Sequence, residues 1–184
     1  SCGNRNGFAQ TINTEQTVGS CMRVSIIGCG SIGSTLAKAA DEMPDVKRIY
    51  LMDIDKPIAE KLAASLKKAI VIDDVEEELY HCDLVVESCT QAGAKLILPK
   101  VVARGVDIMV MSVGALVDDD FRAMVFEKAK ASEAKIYIPT GALSGTDGLR
   151  SASADRIDSV ELITTKGPKS LGGVEYLMNK GIDV

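Results

Sequence analysis

The stretch RVSIIGCGSIGSTLAKAADEM, Arg23 to Met43, changes its periodicity inside a single turn. An apolar run ends at Gly28, and Ile32, Leu36, Ala39, Ala40 and Met43 then recur at helical spacing until Pro44 stops them. Gly28, Gly30 and Gly33 occupy the junction in G-x-G-x-x-G spacing. A strand that enters a helix through glycines leaves no room for a longer linker. Alone the spacing is a weak signal. A strand before it and a helix after it read as the opening of a βαβ unit, which the rest of the chain must continue to make an α/β fold.

The rest of the pattern agrees. RIYLMD (Arg48 to Asp53) reads as a second strand, with a helix from Pro57 to about Lys68. AIVI (Ala69 to Ile72) reads as a third, followed by an acidic helix from Asp73 or Asp74. DLVVES (Asp83 to Ser88), DIMVMSVG (Asp107 to Gly114) and KIYIP (Lys135 to Pro139) complete six. The helix Gln91 to Ala103 contains Pro99, which predicts a kink or a late start. Asp118, Asp119 and Asp120 fall at a helix N-terminus, where the dipole favours anions. Strands and helices alternating at this spacing predict a Rossmann-type doubly wound parallel sheet. The pattern changes at RIDSVELITTK (Arg156 to Lys166), a longer alternating strand that reads as the beginning of a second α+β domain. The expected organisation is an N-terminal extension without order over 1–21, a dinucleotide-binding domain over 22–150, and the incomplete start of a catalytic or substrate domain over 151–184.

The three glycines serve a tight turn, backbone approach to a pyrophosphate, and helix-on-strand packing. The helix N-terminus adds free N–H groups and a positive dipole end. Asp53 closes the next strand twenty residues beyond Gly33. There its carboxylate can accept from both ribose hydroxyls and repel a 2′-phosphate. NAD is favoured, with NADP left possible because Lys56 is near enough to soften that repulsion. The other ligand groups are expected at the remaining carboxyl strand ends: ESCTQ (Glu87 to Gln91), SVGAL (Ser112 to Leu116) and PTGALSGTDG (Pro139 to Gly148). The lone histidine, His81, precedes the fourth strand and is separated from that edge by the strand's length. It is therefore not a catalytic candidate.

Composition narrows the function further. The net charge is -5 and Lys/Arg residues are not clustered, which argues against nucleic acid and anionic membranes as partners. No apolar run approaches the ~20 residues of a membrane helix. Five cysteines without zinc-like spacing read as reduced thiols of a cytoplasmic protein, and no metal site is expected. Residues 1–21 lack the basic and apolar regions of a secretory signal.

DIMVMSVGAL, IYIPTGALSGTDGL and VELITTKGPKSL together resemble the L-aspartate dehydrogenase family, from Met22 to about Leu171. The resemblance implies an NAD- or NADP-dependent oxidoreductase that interconverts L-aspartate and iminoaspartate in pyridine nucleotide biosynthesis, as a homo-oligomer in its full-length form. Carried over, Gly28, Gly30, Ser31, Ile32 and Gly33 would hold the pyrophosphate and Asp53 the ribose. Ser88, Cys89, Thr90 and Ala115 would line the cofactor cleft, and Thr140, Gly141 and Asp147 would approach the substrate. The family pattern also implies an Asn and a catalytic His beyond Val184, and no residue of the 184 takes the His role. The expectation is thus a cofactor-binding part with no catalytic residue of its own and doubtful turnover. Two alternatives stay open: a dinucleotide-binding or sensing module without turnover, and a relative of homoserine dehydrogenase or dihydrodipicolinate reductase.

Overall fold

The computed structural model describes residues 21–141, 145–163, 165, 167 and 175–182. The extension expected over 1–21 lies outside the described residues apart from exposed Cys21. The chain divides into two compact units, residues 1–141 and 142–184, a break earlier than the expected 150.

In the first unit the strands are β1 (Met22–Ile27), β2 (Val46–Met52), β3 (Ala69–Val71), β4 (Leu84–Glu87), β5 (Asp107–Val110) and β6 (Ile136–Tyr137). All pair in parallel, in the order β3-β2-β1-β4-β5-β6. The order reverses direction between β1 and β4, the switch point at which doubly wound sheets bind ligands. The helices are α1 (Ser31–Glu42), α2 (Lys56–Ala63), α3 (Val75–Glu78), α4 (Gln91–Ala103) and α5 (Asp119–Ser132).

Strand alternation divides the core in two. Val24, Ile26, Leu51 and Val86 pack with Ala37 and Ala40 of α1 and Ala59 and Leu62 of α2. Ile27, Val85, Ile108 and Val110 pack with Leu98, Val101 and Val102 of α4 and Val125 and Ala129 of α5. Because helices cover both faces, the central strands are apolar on both sides. Each fully buried Leu, Ile or Val stabilises this arrangement by ~1.5–3 kcal/mol.

Local signals set the helix starts. Asp74 caps α3, accepting from the Glu76 N–H at 2.9 Å. Asp118 caps α5 through the Phe121 N–H at 3.1 Å, with Asp119 and Asp120 in the first turn. Helix α4 starts at Gln91 and contains Pro99, so the late start does not occur. Thr90 supplies a cap strong enough to fix the start, accepting from the Gly93 N–H at 3.1 Å. Strand β5 ends at Val110, short of the expected Gly114, where Val113–Val117 winds into a 3₁₀ turn, and β6 pairs only over Ile136–Tyr137.

The second unit contains α6 (Thr146–Ala152) and α7 (Glu175–Asn179). The long strand expected over Arg156 to Lys166 is not formed among its described residues, and Val160, Leu162 and Ile163 are exposed. Alternation alone does not make a strand. A ladder needs an adjacent edge, and the described residues of this unit include no strand to pair with. No helix among the described residues is long and apolar enough to cross a membrane.

Candidate functional site

The site is built where β1 ends. Gly28 has φ +93°, a conformation that glycine adopts without steric cost. A Cβ on Gly28 would lie 2.5 Å from the Ser88 carbonyl oxygen, and one on Gly33 would lie 1.8 Å from the Gly28 carbonyl oxygen. These two glycines are demanded by the protein's own packing. Gly30 is different, because a Cβ there would meet nothing within 4 Å. Only something placed above that turn could require its absence.

Gly30 is also the N-cap of α1. It makes no side-chain cap bond, and the first turn carries no acid. Gly30, Ser31 and Ile32 are exposed. The first-turn N–H groups and the positive dipole end are thus available to an anion.

Asp53 follows β2 and is half-buried. Its Oδ2 accepts from the Cys29 N–H at 2.7 Å, and its Oδ1 from the Asp55 N–H at 2.9 Å. A carboxylate offers about four acceptor sites, so capacity for a diol remains. The carboxylate is therefore fixed against the glycine turn itself. Lys56 Nζ lies 2.6 Å from Asp73 Oδ1, which engages the charge that would otherwise favour a 2′-phosphate.

Across β1, the end of β4 closes the same rim. The Ser88 hydroxyl donates to the Gly28 carbonyl at 2.7 Å, tying the two turns together. Burial, then the hydrogen bond to Glu87, pushes the Cys89 thiol up to about 12. Burial and Asp53 push the Cys29 thiol up to about 11. Neither is a ready nucleophile. Ala115 has no exposed surface and packs in the core, so it does not line the rim. Its 3₁₀ turn presents Val113 and Gly114 instead. A Cβ on Gly114 would lie 2.3 Å from Gln91 Nε2, so this turn rests on the start of α4.

Thr140 and Gly141 are exposed beyond β6, with Gly141 at φ +61°. Asp147 lies in the first turn of α6, in the second unit. His81 is exposed in a 3₁₀ turn (Leu79–His81) that leads into the amino end of β4. The whole strand separates it from Glu87 and the glycine turn.

From the sequence, Glu87 falls near the end of the fourth strand and opens the ligand-bearing stretch ESCTQ, with no role of its own. The structure shows it to be fully buried, with both oxygens engaged by the turns after β4 and β5. The signal was its register: two residues after Val85, it faces the same core.

The rim fits a dinucleotide: an uncapped helix end, open space above Gly30 and an acid fixed beside the turn. Comparison with known proteins agrees. Residues 28–139 match the family model described as homoserine dehydrogenase, NAD binding domain. The chain is 39% identical over 165 residues to an L-aspartate dehydrogenase of Methanosarcina acetivorans, covering 89% of this chain and 61% of that protein. It is 41% identical over 152 residues to one from Methanothermobacter thermautotrophicus, covering 82% and 59%. The chain therefore spans about three fifths of the length of the curated relatives it matches. Among solved structures, aspartate dehydrogenase from Thermotoga maritima superposes with a TM-score of 0.57 at 26% identity, covering 82% of this chain and 59% of that one. The glycine turn, the sheet order and these matches lead to one statement: the chain belongs to the dehydrogenase family described as homoserine dehydrogenase, NAD binding domain.

Proposed function

We propose that this chain is the cofactor-binding part of an L-aspartate dehydrogenase, which oxidises L-aspartate to iminoaspartate with NAD. The observation that carries the reading is the similarity to L-aspartate dehydrogenases over nearly nine tenths of the chain. The open glycine turn at Gly30 beside Asp53 supports it independently.

In this reading Gly28, Gly30, Ser31, Ile32 and Gly33 hold the pyrophosphate through backbone N–H groups and close approach. Asp53 accepts from the adenosine ribose. Bound NAD would supply a hydride acceptor at its nicotinamide. Ser88, Cys89, Thr90 and the exposed Val113–Gly114 segment border the other half of the cofactor. Thr140 and Gly141, beyond β6, contribute to the substrate side. NAD is preferred over NADP because Asp53 repels a 2′-phosphate while Asp73 engages Lys56. We further place the protein in the cytoplasm, in pyridine nucleotide biosynthesis, as a homo-oligomer. The free thiols Cys29, Cys82 and Cys89 fit a reducing compartment.

The test begins with NADH titration followed by fluorescence, with NADPH as the comparison. Saturable binding, tighter for NADH, is expected, and no binding of either would refute the reading. L-aspartate and L-homoserine are then offered with NAD to the chain extended to the relatives' length. Turnover of L-aspartate supports the proposal. Turnover of L-homoserine alone would favour the second reading, to which the description of the matching family model points.

A further inference from the structure

Glu87 is the one carboxylate among the described residues with no exposed surface. In β4 it is level with Ile27 of β1 and Val110 of β5, the last paired residues of both neighbours. Alternation turns it, like Val85, towards the core under α4. A carboxylate in such a place is costly unless its oxygens are fully engaged.

They are engaged by the two turns that follow β4 and β5. Oε1 accepts from the Cys89 N–H at 2.9 Å, and the Cys89 thiol lies 3.1 Å from the same oxygen. Oε2 accepts from the Ser112 N–H at 3.0 Å. Ser112 Oγ is 2.7 Å from Oε1 and 3.0 Å from the Cys89 carbonyl, so its single proton joins the turns whichever acceptor it serves. One buried side chain thus fixes two backbone segments that share no local sequence.

Their place in the sheet gives this clamp a use. Asp53 and the glycine turn lie at β2 and β1, where the adenosine and pyrophosphate belong. A dinucleotide spanning the switch point lays its other half over β4 and β5. We propose that Glu87 is a positioning residue for the cofactor: by locking Ser88–Thr90 to Ser112–Gly114, it shapes the surface that receives the nicotinamide half, without touching the cofactor. The inference rests on the dinucleotide reading given above.

An acid is needed because the clamp asks for acceptors on both sides. A glutamine of nearly the same shape offers one oxygen and one NH₂. Whichever way the amide turns, its NH₂ confronts the backbone N–H of either Cys89 or Ser112, and that buried donor is left unmatched.

The experiment compares two probes on the wild type, Glu87→Gln and Ser112→Ala, with thermal melts alongside. NADH reports the whole site. ADP carries the adenosine and diphosphate but neither the second ribose nor the nicotinamide. Glu87→Gln is expected to weaken NADH by about tenfold or more while ADP changes by less than about twofold. Ser112→Ala keeps the Ser112 N–H bond and should show the same selectivity at about threefold. Equal loss of both probes would reduce Glu87 to a structural residue, and unchanged NADH affinity would remove the clamp; either result overturns the proposal. If Glu87→Gln does not fold, Ser112→Ala decides by the same criterion. A wild type that binds neither probe would instead refute the dinucleotide site, and this inference with it.

Discussion

The two halves of the carboxyl rim are built by opposite means. On the β1–β2 side the site is announced by a motif: three glycines within six residues, with an acid at the next strand end that holds the glycine turn from twenty-four residues away. On the β4–β5 side no motif marks it: a buried carboxylate holds a backbone at a similar distance along the chain, twenty-five residues away. The first half keeps space open by lacking side chains, whereas the second is fixed by one side chain with four donors around it. A motif can therefore announce half of a binding site and leave the other half unmarked.

Substitutions at the glycines should break the first half most sharply. Gly33→Ala places a methyl 1.8 Å from a carbonyl oxygen, so α1 must move off β1. A loss of at least ~1–3 kcal/mol is expected, seen as a large fall in the thermal midpoint. Gly30→Val is the informative contrast. Nothing in the protein lies within 4 Å of the first added atom, so the melt should be nearly unchanged while NADH affinity is abolished. A Gly30→Val protein that binds NADH normally would mean the pyrophosphate is elsewhere.

Asp53→Ala should cost about tenfold or more in NADH affinity, the weight of hydrogen bonds to a charged group. NADPH should gain relative to NADH. An unchanged ratio would take Asp53 out of the ribose site.

Thr90→Ala removes the α4 cap and should lower stability by ~1 kcal/mol. Guanidinium unfolding measures this directly, and no change would mean that α4 is held by packing alone.

The smallest effect belongs to the opposite rim. Arg23 hydrogen-bonds Asp83 and holds its carboxyl below the ordinary value. A depressed folded-state pKa contributes stability above the unfolded value and loses it as pH falls through the folded one. Asp83→Asn should therefore melt slightly lower at neutral pH, with the gap to wild type closing on acidification. The pair is partly exposed and screened, so the gap is small throughout.

Most of the first unit was legible because its signals were local. The periodicity around Gly28–Gly33, the Asp118 cap and the apolar strands are each written in a few contiguous residues, even though distant partners complete them. The end of β5 was not, because Ser112 leaves the strand to reach Glu87, a contact no propensity encodes. Ala115 was assigned to the cleft by resemblance, and its burial shows that the same turn offers its neighbours instead. Arg156–Lys166 carried the alternation of a strand without an edge to join. Where the structure depended on a partner far along the chain, sequence pattern stopped being sufficient.

The central claim is that cofactor chemistry sits on the carboxyl rim, on both sides of β1. Amide chemical-shift mapping of the chain titrated with NAD tests it directly. Saturating shifts should cluster at Gly28–Gly33, Asp53, Thr90 and Gly114, leaving His81 and Arg23 still. Shifts centred on His81, with the glycine turn silent, would contradict the account.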